Sequence, residues 1–166
     1  MTLMAENDNI RTAVLESVKG LSNEQLNQRT SPDKWTIAQV LVHLFLLEKG
    51  LSKWIPDALM NGEEQTAENK PIHLVPDRSR KVKAPANFEP RDEFMTWDTI
   101  QEKLAQSRKA LNDAIAGVSE EQLEKRTLPH PVFGPMSLKQ WVEIIGLHEK
   151  RHLAQIEELK QELFQK

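Results

Sequence analysis

The chain has 166 residues and a net charge of -3, with 39% hydrophobic and 28% charged residues. This length is that of one ordinary domain, so we expect a single domain over residues 1–166 with a sizeable core. The basic residues form no long block, which argues against a nucleic-acid partner. No apolar run approaches the roughly 20 residues that span a bilayer, which argues against a membrane protein.

The chain begins with MTLMAENDNIRTAVL, which lacks the basic start and apolar block of a secretory signal, so we expect a cytoplasmic protein. Apolar residues at helical spacing predict a first helix over about residues 6–19. A second helix is predicted to begin after Thr36, a good N-cap, and to be closed by Pro56 and the turn at residues 61–62.

Residues 62–90 are polar and interrupted by four prolines, which predicts a long crossover connection. A third helix is predicted after Pro90, with Phe94 on its apolar stripe and its end at Gly117. The last helix is predicted to begin near Ser137. Strand-like alternation is hard to find, so the predicted fold class is all-α, a four-helix bundle with a long crossover connection.

Two segments of the chain resemble each other. GLSNEQLNQRT at residues 20–30 and GVSEEQLEKRT at residues 117–127 share seven of eleven positions, and each precedes an N-cap and an amphipathic helix. The shared motif is common in short helices. However, both copies are followed by an N-cap and an amphipathic helix, which favours two pseudo-repeated halves. Aligning Thr36 with Ser137 places His43 opposite Ile144, so the halves would not supply equivalent side chains to a shared site.

Two histidines, His148 and His152, lie four residues apart on the apolar stripe of the last helix. Four residues turn an α-helix by about 400°, so both imidazoles point the same way and can reach one metal ion. A buried imidazole without a partner costs on the order of 1–3 kcal/mol, so the pair requires one. The pair alone leaves two interpretations open, a metal site and a hydrogen-bonded core pair.

A third histidine, His43, flanks the apolar stripe of the second helix, which can face the last helix across a bundle. The chain has no cysteine, so a metal would be held by nitrogen and oxygen. Three histidines would leave open positions, which is typical of a reactive site. We therefore predict a divalent-metal site formed by His43, His148 and His152. His73 and His130 lie in proline-rich loops and are interpreted as solvated or loop-packed.

Several polar and aromatic residues are secondary candidates. Side chains about one helical turn from the histidines could orient water or the imidazoles, although solvated positions are the simpler interpretation; they are Gln39, Glu48, Glu149 and Gln155. The tryptophans could line a ligand cleft, but we assign Trp97 and Trp141 to the core and Trp35 to a packing role before an N-cap.

The histidine-bearing motifs resemble those of the DinB and YfiT-like superfamily of metal-dependent enzymes. The likeness rests on WTIAQVLVHL at residues 35–44, KAPANFEP at 83–90, FGPMSLKQW at 133–141 and HEKRH at 148–152, and it extends over nearly the whole chain. The resemblance implies a four-helix bundle that binds Zn²⁺, Ni²⁺ or a similar ion through His43, His148 and His152. Relatives include thiol S-transferases that use bacillithiol or mycothiol, a thiol-dependent isomerase, and hydrolases without an assigned substrate.

Two functions of different class follow from this resemblance. The first is a metal-dependent hydrolase or thiol S-transferase, in which the metal activates a water or a low-molecular-weight thiol and the substrate is a small molecule. The second is a non-catalytic, metal-stabilised bundle that binds a small molecule or dimerises. A homodimer is compatible with such a bundle, although no residue indicates one. No motif identifies a general base, a thiol-binding residue or a substrate pocket.

Overall fold

The computed structural model describes residues 2–165, and four long helices form its framework. These are α1 (Ala5–Val18), α3 (Ile37–Asn61), α4 (Trp97–Ile115) and α6 (Leu138–Phe164). The short helices α2 (Asn23–Leu26) and α5 (Glu120–Glu124) lie in the connections. Helix α3 packs against α4 and α6, and α1 packs against α6. The predicted all-α bundle is confirmed, and none of its helices within residues 2–165 is long and apolar enough to cross a membrane.

One predicted helix end is correct only in part, and one predicted helix start is wrong. Helix α3 ends at Asn61 and is capped by Gly62, as the turn at residues 61–62 predicted, but Pro56 lies inside the helix and does not close it. A proline inside a helix costs about 3 kcal/mol, but Ile55 and Ala58 on either side are buried in the bundle and hold the last turns in place. Helix α4 begins only after the N-cap Thr96, so Phe94 lies outside it and is 61% exposed.

A small β-hairpin was not predicted from the sequence. Strands β1 (Thr127–His130) and β2 (Gly134–Ser137) pair antiparallel and lead directly into α6. Each strand has only four residues, and Pro129 is paired with Pro135. Strands are recognised in a sequence by alternating apolar and polar residues, and prolines in such short strands interrupt that alternation. The sequence of this segment therefore indicates a proline-rich loop.

The two similar segments have the same local structure. Gly20 and Gly117, the first residues of the two copies, have φ of 87° and 74°, a region that favours glycine. In each copy the next serine, Ser22 or Ser119, caps a short helix through a reciprocal capping box with a glutamine three residues later. The predicted pseudo-repeat is therefore present in the backbone as well as in the sequence.

A polar layer divides the apolar core. One apolar cluster surrounds Leu51 and Ile145, and the other surrounds Leu41 and Ile156. Each long helix contributes two buried polar side chains to the layer between the clusters. These are Asn7 and Arg11 on α1, His43 and Glu48 on α3, Ser107 and Arg108 on α4, and Glu149 and His152 on α6. Buried polar groups need partners, so this layer is where a functional site is expected.

The crossover connection, residues 62–96, is fastened along the outside of the bundle. Gln140, near the start of α6, exchanges two hydrogen bonds with the backbone of Lys70. Further along α6, Arg151 donates to the carbonyl oxygens of Val75, Asp77 and Arg80. These contacts place the crossover over the part of α6 that carries the two helical histidines.

Candidate metal centre

The three predicted histidines converge on one point inside the polar layer. His43 projects from α3 toward His148 and His152 on α6. The Nε2 atom of His148 lies 3.1 Å from that of His43 and 3.1 Å from that of His152. One nitrogen from each ring falls within 4.8 Å of the others. The spacing of four residues on α6 and a facing residue on α3 therefore produce a three-nitrogen cluster.

The outer nitrogens of two of these rings have oxygen partners. His43 Nδ1 lies 2.7 Å from the carbonyl oxygen of Phe88, in the crossover. His152 Nδ1 lies 2.7 Å from the side-chain oxygen of Gln155. Since these oxygens accept hydrogen bonds, each Nδ1 carries the hydrogen and each neutral ring directs the lone pair of its Nε2 inward.

This donor set fits a divalent metal ion. A single hydrogen on His148 Nε2 can satisfy only one of its two neighbouring nitrogens, whereas a cation at the centre satisfies all three. Tetrahedral ligands at a zinc–nitrogen distance of about 2.0–2.1 Å are about 3.3 Å apart. This is close to the 3.1 Å between His148 Nε2 and the Nε2 atoms of His43 and His152. The cluster of His43, His148 and His152 therefore has both the chemistry and the spacing of a metal site.

Burial keeps the three imidazoles in the neutral form that binds metal. Desolvation lowers the pKa of His43 from its ordinary value, against the opposing effect of the hydrogen bond with Phe88. Burial, reinforced by the neighbouring histidines, lowers the pKa of His148 well below its ordinary range. For His152, mainly burial lowers the pKa to about 3. At neutral pH no proton competes with a metal for these nitrogens.

His148 is the least buried of the three side chains. His43 and His152 are 5% and 8% exposed, whereas His148 is half-buried. Trp35, also half-buried, lies beside the cluster with its ring centroid 5.1 Å from that of His43. The cluster is therefore nearest to the surface at His148, and Trp35 adds an aromatic ring beside His43.

Only one of the four polar candidates contacts a histidine. This residue is Gln155, through the hydrogen bond with His152. Gln39 exchanges hydrogen bonds with the N-cap Thr36, and its side-chain nitrogen donates to the carbonyl oxygen of Arg91. The simpler interpretation of Gln39, Glu48 and Glu149 as solvated residues is wrong, because all three are 7% exposed or less.

The two buried glutamates belong to an ion cluster that joins all four long helices. Arg11 donates to Glu48 and, through two nitrogens, to Glu149. Arg108 also donates to both glutamates, and Ser107 donates to Glu48 at 2.6 Å. Both carboxylate oxygens of Glu149 are therefore bonded to arginines and not to the histidines. Sequence reasoning missed both arginines, because a single arginine on an amphipathic helix looks like a surface residue.

The remaining histidines and tryptophans lie outside the three-histidine cluster. His73 is exposed, and His130 packs against Trp141 with ring centroids 5.1 Å apart and accepts hydrogen bonds from the hairpin backbone. Trp141 is buried in the core. Trp54 is 39% exposed and packs against Phe88, with ring centroids 5.6 Å apart.

The sequence is similar to known proteins over nearly the whole chain. The sequence model of the DinB superfamily matches residues 6–156, a range that includes all three histidines of the cluster. A protein of Bacillus subtilis (strain 168) named "Uncharacterized protein YuaE" is 38% identical over 153 residues, which cover 92% of this chain and 94% of the relative. With its helical bundle and three-histidine cluster, the chain belongs to the DinB superfamily.

Proposed function

We propose that the protein is a metal-dependent enzyme of the hydrolase or thiol S-transferase type, with Zn²⁺ or Ni²⁺ held by His43, His148 and His152. The observation that carries this proposal is the convergence of three Nε2 atoms, two of which are 3.1 Å from the third. Three nitrogen ligands leave coordination positions for a water or a substrate, whereas structural zinc sites are closed by four protein ligands.

The residues of the chain have separate tasks in this proposal. His43 and His152 are fixed in direction by Phe88 and Gln155, so their Nε2 atoms stay aimed at the centre. In this proposal the substrate approaches at His148, the least buried of the three histidines. When bound, a divalent metal supplies Lewis acidity that lowers the pKa of a water or a thiol in its open position.

The nucleophile in this proposal comes from outside the chain. The protein has no cysteine, so a sulfur nucleophile must be a co-substrate such as a low-molecular-weight thiol. Glu48 and Glu149, the acidic residues nearest to the ligands in sequence, are both committed to arginines and do not serve as proton acceptors. The reaction therefore relies on a nucleophile that the metal activates directly.

Metal content and turnover test this proposal together. Protein purified without a histidine tag is loaded with Zn²⁺ or Ni²⁺, its metal is quantified, and it is assayed with thiols plus a reactive electrophile and with hydrolase substrates. We expect about one equivalent of metal in the wild type, and loss of both metal and turnover in His148→Ala. The matched control is His73→Ala, which removes an exposed histidine from the crossover.

Two results would overturn the proposal in different ways. If the wild type takes up no metal, or if His148→Ala retains it, the three histidines are not a metal site. If the metal binds at these histidines but no thiol or hydrolase substrate is turned over, the alternative applies, a metal-stabilised bundle that binds a small molecule or dimerises without catalysis. Measuring the mass of the loaded protein in solution then tests dimerisation.

A further inference from the structure

We propose that Phe88 is a positioning residue of the metal centre. Its ring, seated on α3 at Gly50 and against Trp54, holds its own carbonyl oxygen on His43 and so fixes the tautomer and direction of that ligand. The consequence for metal affinity rests on the proposed function. The consequence for the tautomer does not, because it is a property of the metal-free protein.

The seat for the ring is a gap in the surface of α3. A Cβ atom built on Gly50 would lie 3.3 Å from Cε1 of Phe88 and 3.3 Å from Cη2 of Trp54, closer than such contacts usually are. The rings of Phe88 and Trp54 meet with their centroids 5.6 Å apart and their planes at 59°. Gly50 and Trp54 are one turn apart on α3, so they form the floor and one wall of the seat.

Space explains the glycine at this position better than backbone freedom. Gly50 is not among the glycines with positive φ, and it lies inside a regular helix. A glycine in a helix interior costs about 1 kcal/mol relative to alanine. The close approach of two aromatic rings is the feature of the structure that favours a residue without a side chain here.

The ring and the carbonyl group of Phe88 contact α3 at two different levels. Gly50 follows His43 by two helical turns, which is roughly 10 Å along the axis. Phe88 ends the short turn Ala86–Phe88, in which its own N–H donates to the carbonyl oxygen of Pro85 at 2.8 Å. Because the ring is seated at one level, the carbonyl oxygen is held at the other, 2.7 Å from His43 Nδ1.

A carbonyl oxygen at this position determines the tautomer and the orientation of the His43 ring. It accepts a hydrogen bond from Nδ1–H and cannot donate one, so it selects the tautomer whose Nε2 lone pair faces His148 and His152. Without this partner, the hydrogen can move to Nε2 and block the nitrogen that faces the cluster. The ring of Phe88 therefore acts on the site through its own backbone.

Truncation of the ring tests the inference. In metal-free wild type, nitrogen–proton correlation spectra should show His43 in the Nδ1–H form. In Phe88→Ala we expect a mixture of tautomers and a loss of Zn²⁺ affinity of about 10–100-fold, the usual effect of losing an outer partner of a ligand. The matched control is Phe94→Ala, the same truncation at an exposed phenylalanine of the same crossover. It should change neither the tautomer of His43 nor the Zn²⁺ affinity.

A second variant changes the seat and leaves Phe88 intact. Gly50→Leu fills the gap with a good helix former, so α3 gains helix propensity while the ring is displaced. It should reproduce the tautomer mixture of Phe88→Ala without loss of helicity. The inference is overturned if both variants keep the Nδ1–H form and the zinc affinity of Phe94→Ala. If the tautomer changes as expected but wild type binds no zinc, the positioning role stands and the proposed function fails.

Discussion

Arg108 donates a hydrogen bond of 2.8 Å from its Nε atom to Glu48 in the interior of the bundle. The same guanidinium group reaches Glu149 at 2.9 Å, so one side chain of α4 joins the two helices that carry the histidines. Arg11 makes equivalent contacts from α1. Two arginines and two glutamates thus connect α3 and α6, the two helices that carry the three-histidine cluster.

Removing one member of this cluster should destabilise the whole bundle. In Arg108→Ala, two buried carboxylates lose a partner, and such losses typically cost about 3–5 kcal/mol. The measurement is the free energy of unfolding by urea. The matched control is Lys109→Ala on the same helix, whose ion pair with Asp113 is exposed and should be worth less than about 1 kcal/mol. Equal losses in the two variants would show that the buried cluster does not hold the helices together.

Acid should destabilise the metal-free protein through its buried histidines. The pKa of His152 is lowered to about 3 in the fold, and those of His43 and His148 are also lowered. The unfolded chain binds protons below about pH 6.5 while the folded chain does not, so stability is full above that pH and falls as the pH drops toward the folded pKa values. Each such histidine adds a slope of about 1.4 kcal/mol per pH unit.

The free energy of unfolding in urea, measured with a chelator present between about pH 5 and pH 7.5, checks this expectation. His152→Gln should reduce the slope, because it removes one of the buried histidines that take up a proton on unfolding. His73→Gln controls for the loss of a histidine at an exposed position of the crossover. A slope that is the same in wild type and His152→Gln would contradict the assigned shift.

The helices and the three histidines could be predicted because their signals are local. Thr36 and Ser137 are the N-caps of α3 and α6, and His148 and His152 share a face by helical spacing alone. The prediction that His43 faces these two histidines required only the assumption that the helices form a bundle. The centre is also asymmetric as the repeat alignment indicated, since Ile144, opposite His43 in the second half, is part of an apolar cluster.

The partners of these residues could not be predicted, because they depend on tertiary contacts. The oxygen on His43 is a main-chain atom of Phe88, and every residue has such an atom, so no residue type indicates it. Arg11 and Glu149 are far apart in the sequence, and either one alone suggests a solvated charge. Gln155 is the exception, since it contacts His152 from the next turn of the same helix.

Gln155 should control the affinity of the site for metal. Its side-chain oxygen holds the Nδ1–H of His152, so Gln155→Leu should weaken Zn²⁺ binding by about 10–100-fold. Gln155→Glu retains an acceptor at this position and should keep most of the affinity. The measurement is competition for Zn²⁺ with a chromophoric chelator. Gln161→Leu, at an exposed position of the same helix, is the control, and a loss as large as that of Gln155→Leu would argue against a specific role for this hydrogen bond.

Trp35 should report metal binding directly. Its ring centroid lies 5.1 Å from that of His43, so a paramagnetic ion bound by the three histidines is close enough to quench its fluorescence. Titration of metal-free protein with Ni²⁺ should therefore produce saturable quenching that is largely lost in Trp35→Phe. Trp97→Phe, at the start of α4, is the matched control and should keep the quenching. If Trp35→Phe is quenched as strongly as the wild type, the ion binds away from His43 and the three-histidine assignment is wrong.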